Sequence, residues 1–319
     1  MHFGRESGRS VMFGILIVCY LFLGGLGGGL CLVLSLTGLA VPHERLSQRL
    51  SPSYRSFFRY GYTASACVLI AAALCLLVDS GNHGALTYLF FSGRITYLSV
   101  GSYMLVGAVA LSALLAYLWV VRTSVQRVGV FRALLIVAAL IGLAVALYTG
   151  LFLASMQAVP FWNTPWLPML FLLSSVSCGL VAALIVGHMS GVSLQFEQYF
   201  SRMAAVDAAV LVLEAVCLIG LILSSLFAGD SNSASAAARL SANALIFGEY
   251  AWIFWSTSVS IGLVAAFVVD VAVAKSGQVL LGRPFYSLVP GVCVFAGAFT
   301  LRFCIVMAGE HPVASLLGA

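Results

Sequence analysis

The sequence predicts an all-α integral membrane protein, a bundle of eight transmembrane helices, and three observations carry that prediction. The 319 residues are 62% hydrophobic and only 8% charged, with a mean hydropathy of +1.10. A soluble domain carries about 25% charged residues, so this chain has too few charges to cover a water-facing surface. Its apolar residues form long runs without the alternation of a barrel strand, and in lipid a helix satisfies its own backbone hydrogen bonds.

Eight apolar stretches are each long enough to cross a hydrocarbon core of about 30 Å. In chain order they are residues 11–41, 61–78, 97–121, 133–156, 166–187, 204–228, 250–269 and 286–308. The first is longer than the roughly 7–15 apolar residues of a signal peptide, so we interpret it as a retained helix. Residues 1–319 are therefore expected to form a single transmembrane domain. The Ser/Ala-rich stretch 229–242 is the one segment expected to be a flexible loop.

Lysine and arginine residues predict the orientation, because loops rich in them remain in the cytoplasm. Ten of the fifteen lie in loops that follow odd-numbered spans, chiefly residues 45–59 and 122–132. On the other side are Arg5, Arg9, Arg94 and Arg239, and Arg302 lies inside the last span. Both termini are therefore expected outside the cytoplasm. The basic residues follow topology and are not interleaved with aromatic ones, so nucleic acid is not an expected partner.

The first span contains the run GGLGGG at residues 24–29. Small residues four positions apart allow membrane helices to approach closely, so we interpret this run as a packing surface. A phosphate-binding loop would need a preceding strand, which the pattern excludes. The eight cysteines all lie in apolar stretches without a C-x-x-C pair, which favours packing over iron–sulfur or zinc ligation.

Charged residues inside the spans are costly and usually functional. Asp207 and Glu214 lie seven residues apart on one face of the sixth span, Asp270 lies at the inner end of the seventh, and Arg302 lies in the outer half of the eighth. One interpretation is a proton-transfer series formed by Asp207, Glu214 and Asp270. The alternative stays open: Arg302 pairs with Glu249 or Glu214 only to lock the bundle, and the two aspartates are solvated at helix ends.

Polar and aromatic side chains concentrate at the predicted outer ends of the spans. Four of the five tryptophans lie there, whereas an interfacial aromatic belt would be more even. This asymmetry predicts an amphipathic pocket near the outer face. Its candidate residues are Asp79, Ser102, Tyr148, Trp162, Asn163, Glu249, Trp252 and Arg302.

The histidines argue against a haem-carrying chain. Membrane haems are normally held by histidines paired on facing helices. Here all five histidines lie at span ends or in tails, and no H-E-x-x-H spacing is present. We therefore expect neither haem nor metal in this chain.

Four segments resemble one known family. Residues 148–179, YTGLFLASMQAVPFWNTPWLPMLFLLSSVSCG, are similar to the NrfD family, which includes the membrane subunit of polysulfide reductase. The segments YLFLGGL at 20–26, DSG at 79–81 with SVGS at 99–102, and GAFTLRFCIVMAG at 297–309 are similar to it as well. The resemblance spans nearly the whole chain.

The resemblance implies a haem-free, eight-helix subunit in the cytoplasmic membrane of a prokaryote. Such subunits exchange electrons between membrane quinol, for example menaquinol, and an extracytoplasmic four-cluster, ferredoxin-like iron–sulfur subunit. That subunit in turn serves a molybdopterin or multihaem cytochrome catalytic subunit. By position, Tyr148 matches the tyrosine that hydrogen-bonds a quinone oxygen, and Arg302 matches the arginine of the last helix. Asp79 stands at the acidic position of the second helix, and Asp207 or Glu214 at that of the sixth.

This chain departs from the family pattern in two places. Asp79 is followed by Ser-Gly where Leu-Gly-Arg-Pro is expected, and no Asn or His precedes Tyr20 as a second quinone ligand. The residue chemistry still suits quinol oxidation: Tyr148 supplies a hydroxyl, Trp162 and Trp252 can cover the ring, and Asp79 or Glu249 can accept protons. Two alternatives remain open, a secondary transporter, for which we find no internal repeat, and an anchor without a quinone site.

Overall fold

A computed structural model describes residues 14–40, 52–79, 97–121, 128–191, 197–227, 233–276 and 285–316, with backbone alone at 97–98, 233, 285–287 and 311–316. Within these ranges the chain is helical and no strand is found. The helices are α1 (Ile15–Ala40), α2 (Pro52–Asp79), α3 (Tyr97–Val121), α4 (Val128–Ala154), α5 (Trp166–Met189), α6 (Glu197–Leu226), α7 (Ser233–Phe247), α8 and α9 (Phe285–Leu316). Helix α8 runs through Ala251–Ile253, Phe254–Ala265 and Ala266–Ser276.

Eight of these helices are long and apolar enough to cross a membrane, which confirms the predicted all-α membrane fold. Several continue past their apolar runs. Helix α2 begins at Pro52 and α6 at Glu197, because a helix extends into the headgroup region where long charged side chains reach water. Asp207 therefore lies in the third turn of α6, deeper than the apolar run suggests.

The described part of the stretch 229–242 is helical, so the expectation of a flexible loop there is wrong. Helix α7 covers Ser233–Phe247 with the sequence SASAAARLSANALIF and packs against α6 and α9. Alanine has the highest helix propensity, and this alanine content outweighs the serines. The short helix covers one end of the bundle between α6 and α8.

Helix α1 occupies the centre of the bundle and packs against α2, α4, α5 and α9. Its glycines make this possible. A Cβ at Gly28 would lie 3.0 Å from the carbonyl oxygen of Gly142 in α4, and a Cβ at Gly29 would overlap the backbone of Ser175 in α5. The glycine run therefore acts as a packing surface that admits neighbouring backbones, as its small-residue spacing predicts.

Aromatic side chains fill one end of the bundle. Trp119 of α3 stacks on Phe58 of α2 with ring centroids 4.4 Å apart, and Phe57 contacts Phe200 of α6 at 5.8 Å. These contacts bring the N-termini of α2 and α6 and the C-terminus of α3 together. We call this the arginine-rich end, because the adjoining loops contain most of the arginines. The other we call the opposite end.

The middle of α8 is a π-helix over Phe254–Ala265. The Ser260 hydroxyl donates to the Trp255 carbonyl five residues earlier at 2.8 Å. On the bundle side, Gly262 meets Gly297 of α9 so closely that a Cβ at Gly262 would lie 2.5 Å from the Gly297 Cα. π-helical turns are rare and often lie at functional sites, and here the segment faces the buried polar residues described below.

Candidate functional site

Tyr148 lies in the last turns of α4, near the opposite end of the bundle, and is buried with 6% of its surface exposed. Its ring rests on Gly101 of α3, where a Cβ would overlap the Tyr148 ring and hydroxyl. The hydroxyl has no hydrogen-bond partner among the described residues. A buried hydroxyl without a hydrogen bond of normal geometry is unfavourable, so Tyr148 offers hydrogen-bonding capacity inside the bundle beyond its contact with Tyr20.

Tyr20 of α1 is a further candidate residue, which the sequence analysis missed. It is buried, and its hydroxyl is close enough to that of Tyr148 to interact with it. No Asn or His precedes Tyr20, so the sequence pattern marks no quinone-ligand position near it. The available signal was a lone polar aromatic residue in an apolar, glycine-rich span. Two phenol groups therefore lie side by side between α1, α3 and α4.

Two further candidates lie near this pair. Ser102 follows Gly101 in α3, is buried, and donates to the Ser99 carbonyl at 2.9 Å. Asp79 ends α2 and is half-buried beside the start of α1, where a Cβ at Gly14 would lie 3.2 Å from the carboxyl of Asp79. Among the described residues of α2, Asp79 is the acidic one, and it lies at the same end of the bundle as Tyr148.

Trp162 is fully buried and anchored to α9. Its indole nitrogen donates to the Ile305 carbonyl at 3.0 Å, and its ring occupies the space that a side chain at Gly309 would fill. The loop between α4 and α5 is therefore held against the last helix. Trp162 shares one apolar cluster with Tyr148, whereas its polar contact is with α9.

The structure places three candidates at the surface. Asn163 and Glu249 are exposed, and Trp252 is 79% exposed in the first turn of α8. Their placement leaves them available to water, lipid or another protein. A role for Trp252 in covering a ring at Tyr148 remains a prediction.

Arg302 is fully buried in the middle of α9. Its guanidinium donates to the hydroxyls of Ser174 at 3.1 Å and Ser175 at 3.0 Å, and to the carbonyls of Ala298 and Phe171 at 3.0 and 3.4 Å. It also lies 5.0 Å from the centroid of the Phe171 ring. Neutral acceptors of α5 and α9 therefore hold this arginine in place.

Helix α1 leaves room for Arg302. A Cβ at Gly25 would lie 2.9 Å from Arg302 Nη2, while a Cβ at Gly24 would lie 3.6 Å from Thr149 of α4. Arg302 and the helix that carries Tyr148 thus contact different faces of α1. The structure does not bring Tyr148 and Arg302 together in one direct contact among the described residues.

Glu214 lies near Arg302 and is a candidate counter-charge for it. It is buried in α6 and close enough to interact electrostatically with Arg302, with the Ser174 hydroxyl beside it. Glu249, the other partner considered from the sequence, is exposed. A buried charge needs a compensating group nearby, and Glu214 is the residue of α6 placed to act as one.

A water-sized cavity adjoins Glu214. Its volume is about 10 Å³, and it is lined by Glu214, Ser174, Ser258, Gly262 and Gly297 among others. The Ser258 hydroxyl, in the π-helix, is buried and has no hydrogen-bond partner among the described residues. A cavity of this size can hold one water molecule, and Ser258 and Glu214 both line it. Sequence reasoning missed Ser258 because serines are frequent in this span.

Asp207 of α6 and Asp270 of α8 form a buried carboxyl pair. Both are 0% exposed, and Asp207 lies beside Asp270 and Ser177. None of the four carboxyl oxygens has a hydrogen-bond partner that meets normal geometry in the described part of the chain. The expectation that both aspartates are solvated at helix ends is wrong here, because α6 and α8 extend beyond them and pack together.

Metal-binding groups are not found among the described residues: no three or more His, Cys, Asp or Glu side chains come together. The eight cysteines are free. Cys178 lies near Asp207, Glu214 and Arg302, at the centre of the polar residues of α5, α6 and α9.

Comparison with known proteins gives a consistent result. A family model described as "Polysulphide reductase, NrfD" matches residues 5–314. The sequence is 27% identical to the C subunit of polysulfide reductase from Wolinella succinogenes over 325 positions, 96% of each protein. It is 30% identical to "Protein NrfD" of Escherichia coli over 195 positions, which span 60% of this protein and 56% of that one. It is 29% identical to "Protein NrfD homolog" of Haemophilus influenzae over 185 positions, 57% of this protein and 52% of that one.

Proposed function

The chain belongs to the NrfD, polysulphide reductase family, and from this premise we propose that it is the haem-free, quinol-reactive membrane subunit of a respiratory oxidoreductase complex. It exchanges electrons between membrane quinol, such as menaquinol, and an extracytoplasmic iron–sulfur subunit. The name of the Wolinella relative, a lettered subunit of polysulfide reductase, supports an assembly of several polypeptides. The proposed location is the cytoplasmic membrane of a prokaryote, with both termini outside.

The observation that carries this proposal is the buried Tyr148 hydroxyl, which makes no hydrogen bond of normal geometry among the described residues although it lies beside Tyr20. A quinone is an apolar ring with two oxygens, so its site needs an apolar enclosure and a few placed hydrogen-bonding groups. The Tyr148 hydroxyl can donate to a quinone oxygen or accept from a quinol hydroxyl. Tyr20 supplies a second hydroxyl beside it. The two hydroxyls are therefore suited to hydrogen-bond a quinone ring oxygen.

Protons released by quinol oxidation need a nearby acceptor. Asp79 is half-buried at the same end of the bundle as Tyr148 and can accept protons toward outside water, with exposed Glu249 as a further acceptor. In this proposal Ser102 and Trp162 shape the surroundings of Tyr148. The exposed Asn163 and Trp252 lie where a partner subunit can contact them.

Electrons then pass to a partner, because we assign no redox group to this chain. The partner that suits the proposal is a four-cluster, ferredoxin-like iron–sulfur subunit bound at the opposite end. It would serve a molybdopterin or multihaem catalytic subunit. This chain binds and orients the quinol, and the terminal reaction takes place elsewhere in the complex.

A second, compatible activity is proton movement from the arginine-rich end. The Asp207–Asp270 pair lies toward that end, where the Ser201 hydroxyl of α6 also donates to the Ala274 carbonyl of α8 at 3.0 Å. Glu214 lies two turns farther along α6, beside the water-sized cavity. We propose that Asp270, Asp207 and Glu214 relay protons into the bundle, where the water can extend the path. Solute uptake by proteoliposomes of this chain alone would instead indicate a transporter.

The substitution Tyr148→Phe tests the quinol site in the assembled complex. Turnover with quinol should fall about tenfold or more, since a hydrogen bond worth ~1.5 kcal/mol or more is lost. Turnover with an artificial donor that reduces the partner subunit directly should remain unchanged. Tyr117→Phe is the matched control, because Tyr117 is 62% exposed on α3. Unchanged quinol turnover in Tyr148→Phe would contradict the site.

A further inference from the structure

A second cavity lies at the arginine-rich end, between the start of α2 and the end of α3. Its volume is about 200 Å³, and it is lined by Pro52, Arg55, Ser56, Arg59, Trp119 and Val120. Pro52, Arg55 and Arg59 are three or four residues apart and so share one face of α2. The cavity has no part in the quinol and proton sites proposed above.

The cavity is positively charged and holds unused donors. Arg55 Nη2 donates to the carbonyl oxygens of Trp119 at 3.4 Å and Val120 at 2.9 Å, which fixes the side chain against the C-terminus of α3. The Nε of Arg55 is buried without a hydrogen-bond partner among the described residues. Arg59 lies one turn along and lines the same space, and none of the described residues that line it is acidic.

Trp119 adds an independent observation. It is 97% buried, with 3% of its surface exposed, and it forms one wall of the cavity. Its indole N–H has no partner within the described ranges. A buried donor without an acceptor is unfavourable, so the site favours an occupant that carries acceptor oxygens.

Apolar side chains next to the cavity indicate where the rest of the occupant lies. Tyr60 of α2 and Leu114 and Tyr117 of α3 are 48%, 44% and 62% exposed on helices that are long and apolar enough to span the membrane. A free anion would gain nothing from this apolar surface, whereas acyl chains would cover it. Basic pockets between membrane helices bind anionic lipid headgroups.

We propose that this cavity binds the phosphate of an anionic phospholipid in the leaflet at the arginine-rich end. Arg55 and Arg59 pair with the phosphate, the Ser56 hydroxyl and the Trp119 indole can donate to headgroup oxygens, and the acyl chains pack against Leu114 and Tyr117. Arginine suits this role because its planar guanidinium donates two parallel hydrogen bonds to a phosphate.

Lipid retention by the full-length protein tests this site. The protein is delipidated in detergent, supplied with phosphatidylglycerol or with phosphatidylcholine of the same acyl chains, and examined by native mass spectrometry. The wild-type protein should retain phosphatidylglycerol in preference to phosphatidylcholine. Arg59→Gln should lower phosphatidylglycerol occupancy about fivefold, the contribution of one basic residue near an anionic surface, whereas Arg59→Lys should lower it less.

Arg202→Gln is the matched control, since Arg202 is an exposed arginine near the start of α6 at the same end. It should leave occupancy unchanged. Equal losses in Arg202→Gln and Arg59→Gln would mean diffuse attraction to the membrane and would overturn the proposal. Equal retention of both lipids would overturn it as well.

Two further measurements distinguish a lipid site from a site for free anions and test whether the headgroup lies inside the cavity. Excess inorganic phosphate should not displace the lipid, and displacement would identify a site for free anions instead. Ser56→Leu fills the cavity without changing its charge and should also lower phosphatidylglycerol occupancy. This variant keeps the proposal testable if Arg59→Gln does not fold, and wild-type occupancy in Ser56→Leu would count against a headgroup inside the cavity.

Discussion

The ring of Tyr148 rests directly on the backbone of Gly101, so that α3 and α4 approach each other through a residue without a side chain. This contact fixes the position of the Tyr148 hydroxyl relative to Tyr20 of α1. Glycine is required here for space, because a Cβ would overlap the ring. The geometry of the proposed quinol site therefore depends on a residue that contacts no substrate itself.

Gly101→Ala should displace the Tyr148 ring and lower quinol-dependent turnover without removing the hydroxyl. Overpacking of this kind costs about 1–3 kcal/mol, so the variant should also unfold at a lower temperature. Gly107→Ala, on the same helix, is the control, since a Cβ there would approach only Ile141, at 4.0 Å. Turnover with quinol and with an artificial donor, measured on both variants, checks the prediction. A Gly101→Ala complex that turns over quinol as the control does would contradict it.

Arg302→Met should destabilise the bundle strongly. The substitution leaves the Ser174 and Ser175 hydroxyls and two carbonyls without their donor, and it leaves Glu214 without a counter-charge. Removing one partner of a buried charge pair costs about 3–5 kcal/mol. Thermal unfolding in detergent measures this loss.

The same experiment tests whether Glu214 is the counter-charge of Arg302. Combining Arg302→Met with Glu214→Gln should recover part of the lost stability, because the uncompensated carboxylate is then removed as well. Arg202→Met, at an exposed position, should change stability by no more than about 0.5 kcal/mol. Strictly additive losses in the double variant would mean that Glu214 and Arg302 do not interact.

Much of the fold follows from the sequence because hydrophobic length alone identifies a membrane helix. All eight spans and their order were predictable from uninterrupted apolar runs, and the burial of Arg302 followed from its position inside one of them. Helix ends were less predictable, since α2 and α6 begin in polar flanks where the apolar signal has already stopped. Helix α7 was missed for a related reason, because its alanines and serines resemble a flexible linker.

The contacts between helices could not be predicted from the sequence. Whether Tyr20 faces Tyr148, or Asp207 faces Asp270, depends on the rotation of helices that are distant in the sequence, and a nearly uniform apolar surface carries little rotational signal. The π-helix could not be predicted for the same reason. It occurs where α8 crosses α9 closely at Gly262 and Gly297, and no local sequence pattern in α8 predicts it.

Gly262→Ala should disturb the crossing between α8 and α9. A Cβ there would lie 2.5 Å from the Gly297 Cα, and backbone atoms cannot move aside as flexible side chains do. We expect a loss of about 1–3 kcal/mol in thermal stability and displacement of Ser258 from the cavity beside Glu214. Gly129→Ala is the control, because nothing lies within 4 Å of a Cβ at that position. Equal unfolding temperatures for the two variants would argue against a tight crossing.

Asp207→Asn and Asp270→Asn should separate folding from proton movement. The two carboxyls face each other without a hydrogen-bond donor among the described residues, and an asparagine amide would donate to the remaining carboxyl. Each single variant should therefore unfold no more easily than the wild-type protein. If the pair relays protons, both variants should nevertheless slow proton uptake from the arginine-rich end during quinol turnover in proteoliposomes containing a pH indicator. Glu197→Gln, at the start of α6, should behave as the wild type. Normal proton uptake in both aspartate variants would show that the pair serves only to join α6 and α8.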